Sequence, residues 1–246
     1  MGAVGGVLSA GAWMPLLRDM PDDGAGEVGL SFDDGPTPET TPGLIDLLRR
    51  HDATASFFLT GERAAQAPHL VAALVAAGHD VFAHGWRHVA YADEPERVMH
   101  EDMTRTETLL SRFRPTPEPY LVRLPYVSGR RSARMHHAIR VWRPTAQLAF
   151  WRFGFEDHRL AEGCLSEAEL QQRCVAAAAP VLAHRRLPRA ILLLHERPYG
   201  ADAPLSAAVT SVLSGIILDG LARRGLRGVK LRSVPTQPWL TRYVQL

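Results

Sequence analysis

Four short stretches of this 246-residue chain carry side chains able to do hydrolytic chemistry. Asp33 and Asp34 are adjacent and run into Gly35-Pro36. Neighbouring residues of a strand point to opposite faces, so both carboxylates reach one pocket only if the turn breaks that alternation. One can then bind a cation while the other stays free as a base. His84 and His88 stand at i and i+4, and share a face, and a metal, if their turn is helical. Eleven histidines at this length give roughly 0.45 such pairs by chance, so the spacing alone favours a surface or structural pair over a metal site. His195 ends the apolar run 190–194 and precedes Glu196. A histidine at the mouth of a buried strand can titrate near neutrality when a carboxylate holds it, and so serve as an acid or base. Arg123-Leu124-Pro125-Tyr126 sets a fixed charge before a rigid turn. Asp22-Asp23-Gly24 repeats the acidic tripeptide, but no apolar run leads into it, and it reads as a solvated turn.

The elements around these residues alternate. Strand patterns cover 28–32, 55–59, 80–83, 121–124, 145–150, 190–194 and 228–231. Helical patterns cover 42–50, 68–77, 95–113, 132–141, 167–184 and 205–224. Thr41 reads as the N-cap of the first helix, with Pro42 at its first position. Strands alternating with helices predict a parallel α/β sheet, open or closed into a barrel. Asp33, Asp34, His84, Arg123 and His195 all fall at or just past strand C-termini, the face where barrel active sites assemble. No Pro/Gly/Ser linker divides the chain. The expected layout is an arm over 1–24, one barrel domain over 25–235 and a tail over 236–246.

Composition narrows the class. Apolar residues make up 46% and charged residues 22%, values that exclude a disordered or collagen-like chain. Net charge is +2, and no basic cluster interleaved with aromatics occurs, so nucleic acid is not an expected partner. Of the 28 basic residues only Lys230 is a lysine. Cys164 and Cys174 form neither a CxxC pair nor a framework and read as free thiols. The uncharged stretch 3–17 falls short of a bilayer span, and no basic residue precedes it as in a secretory leader. A cytoplasmic protein without a membrane span is the expectation; the oligomeric state stays open.

The four stretches occur in a telling order: Ser31-Phe32-Asp33-Asp34-Gly35-Pro36, then His84-x-x-x-His88, then Arg123-Leu124-Pro125-Tyr126, then Leu192-Leu193-Leu194-His195. Thr41-Pro42-Gly43-Leu44-Ile45-Asp46-Leu47-Leu48 and Ala55-Ser56-Phe57-Phe58-Leu59-Thr60-Gly61 lie between the first two. Together they resemble the NodB-type polysaccharide deacetylases, the fourth carbohydrate esterase family, from about Val28 to about Leu231. The resemblance implies a distorted (β/α) barrel holding a divalent metal, usually zinc, on Asp34, His84 and His88. It implies Asp33 as general base, Arg123 as its partner, and the Tyr126 N–H as an oxyanion donor. His195 would be the general acid, held by Asp157. Leu193, His158 and Trp86 would line the substrate pocket. The reaction implied is hydrolysis of an N-acyl group on an amino sugar or oligosaccharide. An O-acetyl ester, an N-formyl group or a non-sugar amide is the alternative, and a non-catalytic binding protein the third reading.

The fourth family motif departs from its pattern, Asp-x-x-Asp-Trp. Here Gly154-Phe155-Glu156-Asp157-His158 keeps only the second aspartate. Gly85 replaces the Ser or Thr usual after the first histidine, and Glu196 stands where Asp is common. These changes touch the pocket wall more than the reacting centre.

Overall fold

The computed structural model describes residues 13–21, 26–197, 199 and 202–234. In chain order the elements are β1 (Leu16–Leu17), β2 (Glu27–Asp33), α1 (Thr41–Arg50), β3 (Ser56–Leu59), α2 (Gly61–Gln66), α3 (Pro68–Ala76), β4 (Asp80–Ala83) and α4 (Glu96–Leu110). They continue with β5 (Leu121–Val122), α5 (Ala133–Trp142), β6 (Gln147–Ala149), β7 (Phe153–Gly154), α6 (Glu167–Ala183), β8 (Ile191–His195), α7 (Ser206–Arg223) and β9 (Arg227–Val229). Every paired strand is parallel, as the alternation of strand and helix patterns requires.

Two sheets share the work of the barrel. The larger runs β4-β3-β2-β8-β7, and the smaller runs β1-β6-β5. Apart from one antiparallel bridge of Asp19 to Ala190, no strand pairing joins them among the described residues, which is the distortion of this α/β barrel. β2 is the centre. Its later residues, Ser31 to Asp33, lie between Ser56–Phe58 of β3 and Leu193–His195 of β8. Its first residues, Glu27 to Gly29, pair with β9. Gly29 touches both Ile191 and Val229, so β9 occupies the same side of β2 as β3, one step earlier along it.

Strands covered on both faces read as continuous apolar runs. Ile191 to Leu194 are buried, as are Val28 to Phe32, and Phe32 stacks on Phe57 in the core. α1 buries Leu44, Leu47 and Leu48 at helical spacing and exposes Arg49 and Arg50. Its N-cap is Thr40 rather than Thr41, and neither hydroxyl caps the helix. Both donate to the Glu196 carboxylate instead.

Three elements escaped the sequence reading: β1, α2 and β7, of two, six and two residues. None is long enough to display a period. β1 lies within the expected arm. Leu16 and Leu17 pair with Leu148 and Ala149 of β6. Met14, Leu17 and Met20 are buried, and the Met14 N–H donates to His136 Nδ1 at 2.6 Å. Residues 13–20 are therefore part of the barrel wall. The Asp22-Asp23-Gly24 turn and the expected tail over 236–246 lie outside the described residues.

α7 is long and apolar enough to cross a membrane by length and composition, and half of its apolar window is buried. Its buried side, Val209, Leu213, Ile217 and Leu221 among others, packs against α6 and α1. Cys164 and Cys174 are buried free thiols.

Candidate active site

The ends of β2 and β8 bring the first and last motifs together, with Asp33 registered against His195. Asp34 takes φ 73°, a left-handed conformation rare for a residue with a side chain. That kink ends the strand alternation and lets Asp33 and Asp34 face one cavity. Both are almost fully buried, at 4% and 2% exposure.

Arg123, past the end of β5, is buried beside them. Its Nη1 donates to Asp33 Oδ1 at 2.7 Å and to Ser31 Oγ at 2.9 Å. Its Nε and Nη2 donate to the carbonyls of Ala149 and Phe150. A guanidinium fixed from several sides holds one oxygen of Asp33 and leaves Oδ2 free, 3.9 Å from His84 Nε2. Burial pulls the Arg123 pKa down, and the Asp33 charge and hydrogen bond pull against it.

His84 follows β4. Its Nδ1–H donates to the Arg123 carbonyl at 2.8 Å, which leaves Nε2 with the lone pair, 3.6 Å from Asp34 Oδ1. Burial lowers the His84 pKa against the opposing charges of Asp33 and Asp34, so the ring is a neutral donor. His88 Nε2 stands 3.1 Å from the same Asp34 oxygen. The turn between the two histidines is not helical, contrary to the condition set by their spacing. Gly85 at φ 82° folds it, and the rings still converge, with centroids 5.5 Å apart.

One ligand atom from each of Asp34, His84 and His88 lies within 4.8 Å of the others. Asp34 Oδ1 is buried without a hydrogen bond, because His88 Nε2 approaches it outside hydrogen-bond geometry. A buried, ionised oxygen left without a donor is costly unless a cation completes it. Burial tends to raise the Asp34 pKa, but the His88 contact and the charges of His195, His84 and His88 bring it down to about 2. One carboxylate oxygen and two imidazole nitrogens fit a divalent cation such as zinc.

His195 is held by one carboxylate in two ways. Asp157 Oδ1 lies 2.8 Å from the ring Nδ1, and Asp157 Oδ2 accepts the His195 backbone N–H at 2.7 Å. Burial alone would lower the His195 pKa; the Asp157 charge and hydrogen bond, with the charges of Asp34 and Asp33, raise it to about 10. Nδ1 being occupied, Nε2 is the nitrogen left to work.

These groups line a cavity of about 520 Å³. It holds Asp33, Asp34, His84, His88, Arg123, Tyr126, Asp157, His158, Leu193 and His195 from the sequence reading. Tyr126 has φ 52° and Val127 φ 59°, so the rim at Pro125–Val127 is strained. Trp86 is not among the lining residues. It packs over Gly61, where a Cβ would meet its ring at 2.3 Å, and Arg105 lies 3.5 Å above it. The left-handed turn at Gly85 sends the indole toward α2 and α4 instead.

Trp151, Phe155 and Tyr199 line the cavity unforeseen. Gly154 leaves room for Trp151, whose indole nitrogen would stand 3.3 Å from a Cβ there. Tyr199 lies in the loop after β8, where no periodicity marks it. Its only sequence signal is position past a strand C-terminus. Two departures from the family pattern have local causes. A side chain at Gly85 would meet the Tyr91 hydroxyl at 2.2 Å, and that hydroxyl is bound to Asp102. Glu196 is buried under the metal loop, and a Cβ on Gly35 would meet its Oε1 at 1.9 Å.

The sequence profile of the polysaccharide deacetylase family matches residues 21–140. A peptidoglycan-N-acetylglucosamine deacetylase of Bacillus cereus is 37% identical over 100 residues, 41% of this chain and 36% of that protein. The chain thus aligns with about a third of that relative's length. Among solved structures, the Bc1960 peptidoglycan N-acetylglucosamine deacetylase superposes with TM-score 0.68 at 24% identity, over 89% of this chain and 91% of that one. A carbohydrate esterase family 4 pseudoenzyme from Bacillus anthracis superposes with TM-score 0.66 at 16% identity, over 89% and 68%. These two likenesses show the fold. The profile match over residues 21–140 and the motif order support a NodB-type polysaccharide deacetylase. A pseudoenzyme on the same fold means that activity has to be argued from the residues of the site.

Proposed function

We propose that this protein is a metal-dependent hydrolase that removes an N-acyl group, acetyl first, from an amino sugar within an oligosaccharide or polysaccharide. The observation that carries the reading is the convergence of Asp34, His84 and His88 around an unpartnered carboxylate oxygen, flanked by Asp33 and His195. A zinc-like ion held there would polarise the acyl carbonyl and acidify an attacking water. Asp33 Oδ2 takes the proton of that water, while Arg123 holds Oδ1 and fixes the direction of the free oxygen. The backbone N–H of Tyr126, at the cavity rim, donates to the oxygen that gains charge. Leu193 offers an apolar wall to the acyl methyl group, paired in register with Gly154.

His195 Nε2 delivers a proton to the leaving group. An alkoxide leaves more easily than an amide nitrogen, which must be protonated as it departs. A histidine held protonated by Asp157 therefore favours amide over ester among the substrates this site could cleave. The names of the relatives support an N-acetylglucosamine unit, for which Leu193, Trp151 and Phe155 give the cavity an apolar and aromatic wall.

The test is release of amine and acetate from N-acetylglucosamine oligomers, with and without chelator. Wild-type activity is expected to vanish on chelation and return with added zinc. Asp34→Ala should lose metal and turnover together. Asp33→Asn should keep the metal and lose at least about 100-fold in turnover, the typical worth of a general base. Undiminished activity in metal-free protein would refute the proposal.

A further inference from the structure

The two imidazoles that converge on Asp34 are not held alike. A metal-ligating histidine is normally oriented by a hydrogen bond from its other ring nitrogen. His84 has one, to the Arg123 carbonyl at 2.8 Å. His88 has none among the described residues: its Nδ1 is buried without a hydrogen-bond partner there. Aromatic rings take that place. Tyr199 stacks on His88 with centroids 4.6 Å apart and planes 6° from parallel, and Tyr126 closes the other side at 4.5 Å.

Tyr199 is itself anchored from three directions. Its hydroxyl is bonded to Thr60 Oγ1 at 3.0 Å. The Arg63 guanidinium lies 3.9 Å from its ring centroid. Its backbone N–H donates to Asp34 Oδ2 at 3.3 Å. Arg63 Nη1 in turn donates to the carbonyls of Asp34 at 2.7 Å and Arg197 at 2.9 Å, clamping the loop after β2 to the loop after β8.

We infer that Tyr199 is a positioning residue for the metal site, fixing the plane of His88 by stacking and the carboxylate of Asp34 through its backbone N–H. This rests on the metal-site reading given above. The ring works through shape: a planar partner confines the imidazole to rotations within its own plane, leaving Nε2 aimed at Asp34. A stacked aromatic pair is attractive beyond its burial, which biases one ring orientation.

The test is metal affinity in full-length protein, by competition of Zn²⁺ against a chromophoric chelator, with the visible spectrum of the Co²⁺-substituted protein as a second readout. Tyr199→Ala and Tyr199→Leu both remove the planar partner, and the second keeps most of its bulk. Each should weaken metal binding about 10- to 100-fold, as loss of outer support for a ligand does. Each should also alter the Co²⁺ bands while the metal-free protein melts as wild type. Tyr199→Phe keeps the stack and the backbone donor, and should stay within about 3-fold of wild type. Wild-type affinity and spectrum in both the Ala and Leu variants would overturn the inference and leave the metal site standing. Loss of affinity matched by a drop in metal-free melting in Ala, Leu and Phe alike would also overturn it, as a general packing role. Failure of the wild-type protein to bind either metal would overturn the metal-site reading itself.

Discussion

Replacing Asp157 by Asn separates the charge of the His195–Asp157 pair from its shape. In the wild type His195 titrates at about 10, against an ordinary 6.5, because the Asp157 carboxylate at 2.8 Å outweighs the cost of burying the charged ring. The raised value means that the protonated imidazole, the form able to donate to a leaving amine, persists well into alkaline solution. Asn keeps one acceptor for the ring or the backbone N–H and removes the charge. If the ring then returns to its ordinary value, about 3% of it is protonated at pH 8, against about 99% in the wild type, a loss of about 30-fold. At pH 6 about three quarters stays protonated, and the loss from this cause is under about 1.5-fold. Any loss from poorer orientation is the same at both pH values. The kcat/KM ratio of wild type to variant should therefore grow about 20-fold between pH 6 and pH 8. The assay is deacetylation of a chitin oligomer across that range, with the His195 ring titration followed by NMR. An equal loss at pH 6 and pH 8 would refute the role assigned to the charge.

Two other substitutions test the support around the site. Glu196 is buried, and burial lifts its pKa from 4.5 to about 7 against the hydroxyls of Thr41 and Thr40 and the Arg63 charge. The native state keeps a proton that the unfolded chain releases, so this group's contribution to stability is greatest below pH 4.5 and falls as pH rises to about 7, by about 3 kcal/mol in all. Glu196→Gln should remove that slope, measured by urea unfolding of metal-free protein at pH 5 and 7.5; parallel slopes in the two proteins would contradict it. Gly85→Ser restores a residue type usual in the family, yet φ 82° and the Tyr91 hydroxyl leave no room for it. It should cost about 1–3 kcal/mol by thermal unfolding and weaken metal binding, since the same turn carries His84 and His88.

What the sequence determined is the inventory and its order. Strand patterns ending in Phe32, Ala83 and Leu194 announced parallel strands whose C-terminal ends share a face, because a strand–helix repeat can close only that way. The carboxylates, imidazoles and Arg123 were legible because their chemistry is carried by residue type and by position at strand ends. Tertiary structure decided what depends on backbone twist and on distant neighbours. The left-handed conformation of Asp34 lets both carboxylates face one cavity, and that of Gly85 sends Trp86 away from it. β1 and β7 became strands only through partners more than thirty residues away in the chain, in β6 and β8. Tyr199 was invisible for the same reason: its role lies in a stack on His88 and a hydrogen bond to Asp34, contacts spanning 111 and 165 residues that no local pattern records.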